Sequence, residues 1–492
     1  MRVRSLCAAV VGLAVALTGG VASAAGGAQS SAKTTAASVR EDFNGDGYQD
    51  LVTTAPESPI AGQPRAGYIV VTYGSPTGLD PESKNLISQN TTGVPGNAET
   101  DDRFGQKVVA RDLDDDGFTD LAVRSSGETV TSTNSYGTVT VLWGREVGLV
   151  GAGAVTIEAP SGSSGWLVGE NLAAGDFNGD GLSDLMMRHG DNWEIRSVLF
   201  GPFTRAGDPA DEQQINMFST DNDIFAVAAG DMTGDGYDDL VTFYAYQNHA
   251  EGGKFWRGTA SGLSTTPTAL PSAATAAVGD FDRDGKGDLA TRTVPDGITE
   301  NLPYDAGTIK IYYGTSSGPS TTRVKTITQN TAGVPGVSEK GDQFGARLDA
   351  GDVTGDGYAD LAAGVPFEAI GSKAAAGAVV LLKGRSGGLS GTGAQAFHQD
   401  TPAIGGVAEA GDRFGGAVRL LDVTGNGRAE LAVSAPKENN TGAVWSLRGT
   451  TTGLTATGSI AFNPVDIGAP APNAGFGTAF ANENGTFLYP PD

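Results

Sequence analysis

The chain has 492 residues, with 57 acidic against 32 basic side chains, a formal net charge of -25, 74 glycines and a single cysteine. Such an acid excess disfavours binding to nucleic acid or to an anionic membrane surface. One cysteine leaves no intramolecular disulfide, so metal cross-links are the expected staple of an exported fold.

In chain order, residues 1–24 carry Arg2 and Arg4, an apolar run from Leu6 to Leu17, and Ala22-Ser23-Ala24. This is the pattern of a secretory signal peptide cut after Ala24, and it predicts a secreted, extracellular protein. The apolar run is too short to span a bilayer, and no later stretch approaches the ~20 apolar residues of a membrane helix. Cys7 lies inside this segment without the small residues that precede a lipidated cysteine, so the mature chain is expected to hold no thiol. Residues 25–37 are small, polar and unpatterned, and read as a flexible linker. Residues 38–492 align on themselves as one repetitive domain.

The repeat is organised around a nine-residue acidic loop followed by leucine, first seen as Asp42-Phe43-Asn44-Gly45-Asp46-Gly47-Tyr48-Gln49-Asp50-Leu51. Oxygens at positions 1, 3 and 5, a backbone carbonyl at position 7 and a carboxylate at position 9 match the six or seven hard ligands of Ca²⁺, and glycine at position 6 permits the sharp turn. The candidate ligands of the first loop are Asp42, Asn44, Asp46, Tyr48 and Asp50. Those of the second are Asp112, Asp114, Asp116, Phe118 and Asp120, and of the third Asp176, Asn178, Asp180, Leu182 and Asp184. The fourth offers Asp231, Thr233, Asp235, Tyr237 and Asp239; the fifth Asp280, Asp282, Asp284, Lys286 and Asp288; the sixth Asp352, Thr354, Asp356, Tyr358 and Asp360. A seventh copy, Asp422 to Leu431, is eroded, with Thr424, Asn426 and Glu430, and is expected to bind weakly or not at all. About six structural calcium sites follow. An EF-hand is excluded because position 12 of the first copy is Thr53 and the flanks read as β-runs.

Each full repeat contains four short β-runs. The first carries Phe-Gly eight residues ahead of the loop, as in Phe104-Gly105, Phe344-Gly345 and Phe414-Gly415; the second starts at the loop's end and closes at Pro56, Pro366 or Pro436 in three copies. The third lies between glycines such as Gly137 and Gly144, with the β-branched and aromatic content of a strand buried on both faces. The fourth, as in Lys84 to Gln89 or Val324 to Gln329, leads into a long loop. A four-stranded antiparallel unit of this size cannot bury both faces alone, whereas several arranged radially can, and the predicted fold is a seven-bladed, all-β propeller. The leucines after the loops, Leu51, Leu121, Leu185, Leu240, Leu289, Leu361 and Leu431, are its expected inter-blade core. At the C-terminus Gly475-Phe476-Gly477 opens another Phe-Gly strand with no acidic loop after it, while the first acidic loop has no Phe-Gly before it. The two ends are expected to complete one blade and close the ring; a degenerate eighth blade is the alternative.

Phe-Gly, the Asp-x-Asp/Asn/Thr-x-Asp-Gly-x-x-Asp-Leu loop and a following Ala-Pro or Val-Pro, as in Leu431-Ala432-Val433-Ser434-Ala435-Pro436, resemble the FG-GAP repeats of the integrin alpha-subunit propeller and its bacterial secreted relatives. The resemblance covers about residues 38–492 and is sharpest in repeats 1, 2, 6 and 7; repeats 3 to 5 lack Phe-Gly. It implies seven blades, calcium loops on one face, and a ligand met on the opposite face by loops such as Gln89 to Asp102, Gln329 to Asp342, Gln399 to Asp412 and Pro56 to Ala66.

Catalytic signals are weak. His189, His249 and His398 stand at unrelated positions in different repeats, and Gly314-Thr315-Ser316-Ser317-Gly318, which fits a nucleophile elbow, occupies the place of the turn Gly74-Ser75-Pro76-Thr77-Gly78 in another repeat. Lys340-Gly341-Asp342 reads as the entry to a Phe-Gly strand rather than an adhesion tripeptide. The expected function is a non-enzymatic extracellular binding or adhesion module for a protein or glycan, acting as a monomer. The alternative is a carbohydrate-active enzyme or lectin on the same scaffold. No cell-wall anchor is read in Leu488-Tyr489-Pro490-Pro491-Asp492.

Overall fold

The computed structural model describes residues 40–130, 135–157, 168–189, 195–217 and 223–483; the expected signal segment, the linker and residues 488–492 lie outside them. Leaving each acidic loop, the chain enters a strand that is apolar at nearly every position, such as Asp360–Val365, and returns along an equally buried one, Ala378–Leu382. Strands buried on both faces need a sheet stacked against each side, which a ring of blades supplies.

The blades are sequential antiparallel meanders. Blade 2 pairs Phe104–Arg111, Asp120–Val130, Ser135–Leu142 and Val155–Ile157 in that order. Blade 3 begins at Ala173–Gly175, blade 4 at Asp223–Gly230, blade 5 at Ala273–Gly279, blade 6 at Arg347–Gly351 and blade 7 at Val418–Leu421, each with four strands in chain order. First strands of successive blades touch one another, so they line the axis of the ring. The acidic loops, which join first to second strands, therefore share one face, and the long connections between blades share the other.

Blade 1 shows how the ring closes. Its three strands Leu51–Ala55, Tyr68–Thr72 and Lys84–Ile87 lack an inner partner from their own stretch of chain. The C-terminal segment supplies it: Thr53 pairs antiparallel with Phe480, Gly477 N donates to Thr54 O at 3.0 Å, and Thr54 N donates to Ala479 O at 3.0 Å. The expected complementarity of the two ends is thus the observed one, with seven blades and no eighth among the described residues. The Phe-Gly pair differs in detail from the expectation. In blade 2 it begins the strand, but in blades 6 and 7 it sits in a turn ahead of it, where Gly345 and Gly415 adopt φ of +82° and +87°.

The leucines after the loops are buried between blades as expected. Leu361 of blade 6 packs with Ala290, Ile309 and Ile311 of blade 5; Leu431 with Val379 and Leu381 of blade 6; Leu51 with Ala417, Leu421 and Val444 of blade 7. Each leucine is the knob that fills the preceding blade, so the same residue that ends the loop also docks it.

Candidate metal centres

Each acidic loop is folded by its own first and last carboxylates. In loop 1, Asp42 Oδ1 accepts from the N–H groups of Gly45 (2.7 Å) and Asp46 (3.2 Å), and Oδ2 from Gly47 (2.8 Å). An acidic first residue thereby curls the chain around itself, and Gly47 takes the left-handed φ of +89° that this turn requires. The same set recurs at Asp176, Asp231 and Asp352.

Position 9 is fixed differently. Asp120 is fully buried; its Oδ2 accepts from Leu113 N at 2.9 Å and its Oδ1 from Gly144 N at 2.7 Å. Asp50, Asp184, Asp239, Asp288 and Asp360 repeat this with Gly74, Gly201, Gly258, Gly314 and Gly384. The recurring glycine that ends each third strand is explained here: a Cβ on Gly144 would stand 2.3 Å from the Thr119 carbonyl oxygen. Burial pushes the carboxyls of Asp50 and Asp120 up to about 8, and those of Asp184, Asp239, Asp288 and Asp360 to about 7, against the partial relief of the two N–H donors. A buried carboxylate with lone pairs to spare and no balancing charge is the situation a cation relieves.

The fit to a cation is clearest in loops 2 and 5. Oxygens of Asp112, Asp114 and Asp116, and of Asp280, Asp282 and Asp288, converge within 4.8 Å of one another. Asp112 Oδ1, Asp114 Oδ1 and Asp282 Oδ1 are buried without a hydrogen-bond partner. Arginine approaches both: Arg205 bonds Asp114 and, at 2.5 Å, Asp116, and Arg323 lies 2.5 Å from Asp282. Arg257 does the same for Asp235 of loop 4 at 2.6 Å. These guanidinium groups supply positive charge at the loop carboxylates. The remaining expected ligands, Asn44, Asp46, Tyr48, Phe118, Asn178, Asp180, Leu182, Thr233, Tyr237, Asp284, Lys286, Thr354, Asp356 and Tyr358, all lie in these loops; in each, the position-7 N–H donates to the position-5 carboxylate, as Tyr48 N does to Asp46 Oδ1 at 3.0 Å. In the eroded loop the Thr424 hydroxyl donates to the longer Glu430, at 3.3 Å from its Oε1.

One feature was not readable as function from the motif. In six of the seven loops, all but the third with its Ser183, the eighth residue, variable in sequence, donates its N–H to the first carbonyl of the preceding blade's loop. Thr119 donates to Asp42 (2.9 Å), Asp238 to Asp176 (2.8 Å), Gly287 to Asp231 (2.7 Å), Ala359 to Asp280 (3.0 Å), Ala429 to Asp352 (2.7 Å) and Gln49 to Asp422 (3.3 Å). Backbone bonds carry no residue preference, so only the fixed spacing hinted at them.

The other residues singled out in the sequence do not assemble. His189 Nδ1 lies 3.9 Å from Glu212 in blade 3, His249 is exposed in blade 4, and His398 lies in the connection between blades 6 and 7. Ser316 sits in a tight turn in which Gly318 N donates to Thr315 O at 2.9 Å, between two strands and with no helix after it. Asp342 opens the Phe-Gly turn, accepting from Glu339 N at 2.6 Å.

FG-GAP repeats match residues 34–72, 104–142, 225–256, 344–382 and 414–447, which fall on blades 1, 2, 4, 6 and 7 and end on their third strands. The chain is an integrin-alpha-like FG-GAP propeller. Blade 4 is matched despite lacking Phe-Gly, which extends the family pattern into the middle of the ring. Integrin alpha pat-2 of Caenorhabditis briggsae is 26% identical over 269 residues, 50% of this chain and 21% of that protein. Mouse integrin alpha-E is 33% identical over 150 residues, 29% of this chain and 12% of that one. Mouse phosphatidylinositol-glycan-specific phospholipase D is 32% identical over 149 residues, 30% of this chain and 17% of that one. The FG-GAP propeller thus corresponds to about a fifth or less of these relatives.

Proposed function

We propose that this FG-GAP propeller is a secreted binding module, stabilised by Ca²⁺ in its acidic loops, that meets a protein ligand on the face opposite those loops. The ions would be held by the residues named above, at positions 1, 3, 5, 7 and 9 of loops 1 to 6. Bound there, Ca²⁺ neutralises carboxylates that burial otherwise holds partly protonated; the loops' own residues shape the turn and bond it to the next blade.

The observation that carries the reading is the division of labour between the two faces. One carries the interlocked acidic turns and, beside them, an exposed Val147 (69%), while the other presents most of the large exposed apolar side chains: Val465 at 70% exposure, Val337 at 63%, Val407 at 61%, Tyr304 at 48% and Tyr246 at 42%. They stand on loops of blades 4 to 7, and exposed apolar groups rimmed by polar ones suit a protein contact. Integrin relatives support an extracellular binding role. The activity named for the phospholipase belongs to a protein of which this chain matches 17%.

Tyr246 and Tyr304 also favour a second reading, a glycan ligand stacked on aromatic rings. Pull-down from culture medium with the mature protein in millimolar calcium, beside a glycan array, separates the two. One protein partner lost in Val337→Asp/Val407→Asp supports the first reading. Glycan binding lost in Tyr246→Ala/Tyr304→Ala supports the second, and retention of all binding by both variants sinks the assignment of this face.

A further inference from the structure

On that same face, a constellation of four residues recurs three times at identical spacing. It is Gln89, Glu99, Asp102 and Glu128 between blades 1 and 2; Gln329, Glu339, Asp342 and Glu368 between blades 5 and 6; and Gln399, Glu409, Asp412 and Glu438 between blades 6 and 7. The glutamine follows the outer strand of one blade. The aspartate stands ahead of the next blade's first strand, and the last glutamate lies at or just beyond the far end of its second strand. Each cluster therefore gathers its groups from two blades.

The contacts repeat as faithfully as the spacing. Gln329 Nε2 donates to Glu368 Oε2 at 2.7 Å, Gln399 Nε2 to Glu438 Oε2 at 2.6 Å, and Gln89 Nε2 to Glu128 Oε2. The aspartate accepts the backbone N–H of the first glutamate at 2.5 to 2.6 Å in all three. The carboxyl groups of Asp412 and Glu438 are in hydrogen-bond contact with each other. Asp102, Asp342 and Asp412 are buried, and among the described residues none of these aspartates, nor Glu128, Glu368 or Glu438, forms an ion pair with lysine or arginine.

A second observation is independent of the acids. Gln89, Gln329 and Gln399 are only 4%, 3% and 1% exposed, and the Oε1 of each is buried without a hydrogen-bond partner. A buried carbonyl oxygen left without a donor is costly, and the same vacancy in three copies is not a packing accident. Each amide nitrogen donates to the cluster's glutamate, so the amide lies against that carboxyl group and carries its unpartnered oxygen on the same carbon. An amide oxygen beside two carboxylates is a hard donor set.

We propose that these three junctions are cation sites of a second class, each formed by a glutamine amide oxygen, an aspartate and a glutamate from adjoining blades, and that Ca²⁺ is the ion they take. The exposed Glu99, Glu339 and Glu409 stand at the solvent side, where they or water complete the coordination. An ion here clamps blade to blade beside the long loops of the ligand face, so its occupancy sets how those loops are presented. No residue is shared with the acidic loops, and the proposal stands whether or not those loops hold calcium.

Equilibrium dialysis of the mature protein against radioactive calcium tests it, comparing wild type with Glu128→Gln/Glu368→Gln/Glu438→Gln. This variant keeps an acceptor for each glutamine amide and leaves every acidic-loop residue in place. Three fewer ions per chain are expected, and an unchanged count overturns the proposal. A second readout uses Trp445, whose Nε1 donates to Gly405 O at 2.8 Å; a Cβ on the adjacent Gly406 would lie 3.7 Å from the indole and 3.8 Å from Gln399 Nε2. Terbium luminescence excited through tryptophan should therefore fall in Glu438→Gln and not in Glu128→Gln; equal signals count against the third site. Should the triple variant fail to fold, anomalous scattering from terbium-soaked wild-type crystals decides, with peaks at the three junctions as the supporting result and peaks confined to the acidic loops as the overturning one.

Discussion

The backbone N–H of Thr119 donates to the carbonyl of Asp42 at 2.9 Å across the boundary between the first two blades. It ties the eighth residue of one acidic loop to the first residue of the loop before it, and the bond from Gln49 to Asp422 carries the same link from blade 7 back to blade 1. An ion bound in one loop would thereby also hold the backbone that anchors its neighbour. Chelation is expected to release the amide protons of Thr119, Asp238, Gly287, Ala359 and Ala429 to exchange together, as one cooperative unit. Hydrogen exchange followed by mass spectrometry checks this, and protection lost in one blade while the adjoining loops keep theirs would contradict the coupling.

The size of the calcium effect can be bounded by mass action. At about 1 mM free Ca²⁺ and a dissociation constant near ~0.1 mM, each site contributes roughly 1.4 kcal/mol. Six independent sites would then contribute about 8 kcal/mol. With an unfolding entropy near ~2.1 cal/mol/K per residue, a ring of this length should melt about 8 to 9 °C lower in EDTA. A calorimetric scan that is identical with and without EDTA would remove calcium from the account of stability.

Asp116 and Asp120 belong to the same loop but should respond differently to the same change. Asp116 is exposed, so Asp116→Asn should weaken calcium binding and leave the EDTA melt within about 0.5 kcal/mol of wild type. Asp120 accepts from Leu113 N and Gly144 N through separate oxygens. An asparagine there must turn its own NH₂ toward one of those donors, which costs about 1–3 kcal/mol even without metal. Urea denaturation of both variants in EDTA measures the difference; equal midpoints would mean that position 9 is a ligand and nothing more.

The buried position-9 carboxyls also give the metal-free protein a pH dependence with a definite sign. Their folded values, about 7 to 8, stand well above the ordinary aspartate value because burial disfavours the charge. The folded state therefore binds more protons than the unfolded one between about pH 4 and pH 8. Stability in EDTA should be greatest below pH 4 as far as these groups are concerned, and should fall as pH rises through 7 to 8. Calcium should flatten that fall while its own affinity rises over the same range, since binding displaces the protons. Melting curves at several pH values, with and without calcium, test both halves; stability that rises with pH in EDTA would reverse the sign.

Much of this was legible in the sequence because the repeated features were side chains with strong local preferences. Aspartate and glycine at fixed offsets wrote the loops, Leu361 and its equivalents wrote the inter-blade core, and the unmatched Phe476-Gly477 announced the closure by which Thr53 pairs with Phe480. What escaped was carried by groups without a residue signature. Position 8 holds Gln49, Thr119, Ser183, Asp238, Gly287, Ala359 and Ala429, which share only a backbone N–H. The glutamine–glutamate pairs were visible as letters 39 residues apart, but their contact depends on a loop from one blade folding over the next. Arg205 was likewise unremarkable until the turn of blade 3 brought it onto Asp114 of blade 2.

Closure through the C-terminal segment makes the last prediction the most severe. Phe476 is fully buried, stacked 6.4 Å from Tyr68 of blade 1 and edge-on 6.0 Å from Phe462 of blade 7. Ser434 Oγ of blade 7 donates to Gly477 O at 2.7 Å, Asn482 N to Val108 O of blade 2 at 3.1 Å, and Val418 N of blade 7 to Glu483 Oε1 at 2.9 Å. Three blades thus meet on one short stretch. Phe476→Ala should cost about 3–5 kcal/mol, as for other buried phenylalanines. Deleting residues 474–492 should cost more, because it also leaves the first blade with an open inner edge along Leu51–Ala55, a ready template for pairing with another chain. The truncated protein is expected to oligomerise or precipitate, and a synthetic peptide of residues 474–483 added in excess should restore a monomer by size exclusion. A truncated chain that stays monomeric and melts with the full-length protein would show that the ring does not need this clasp.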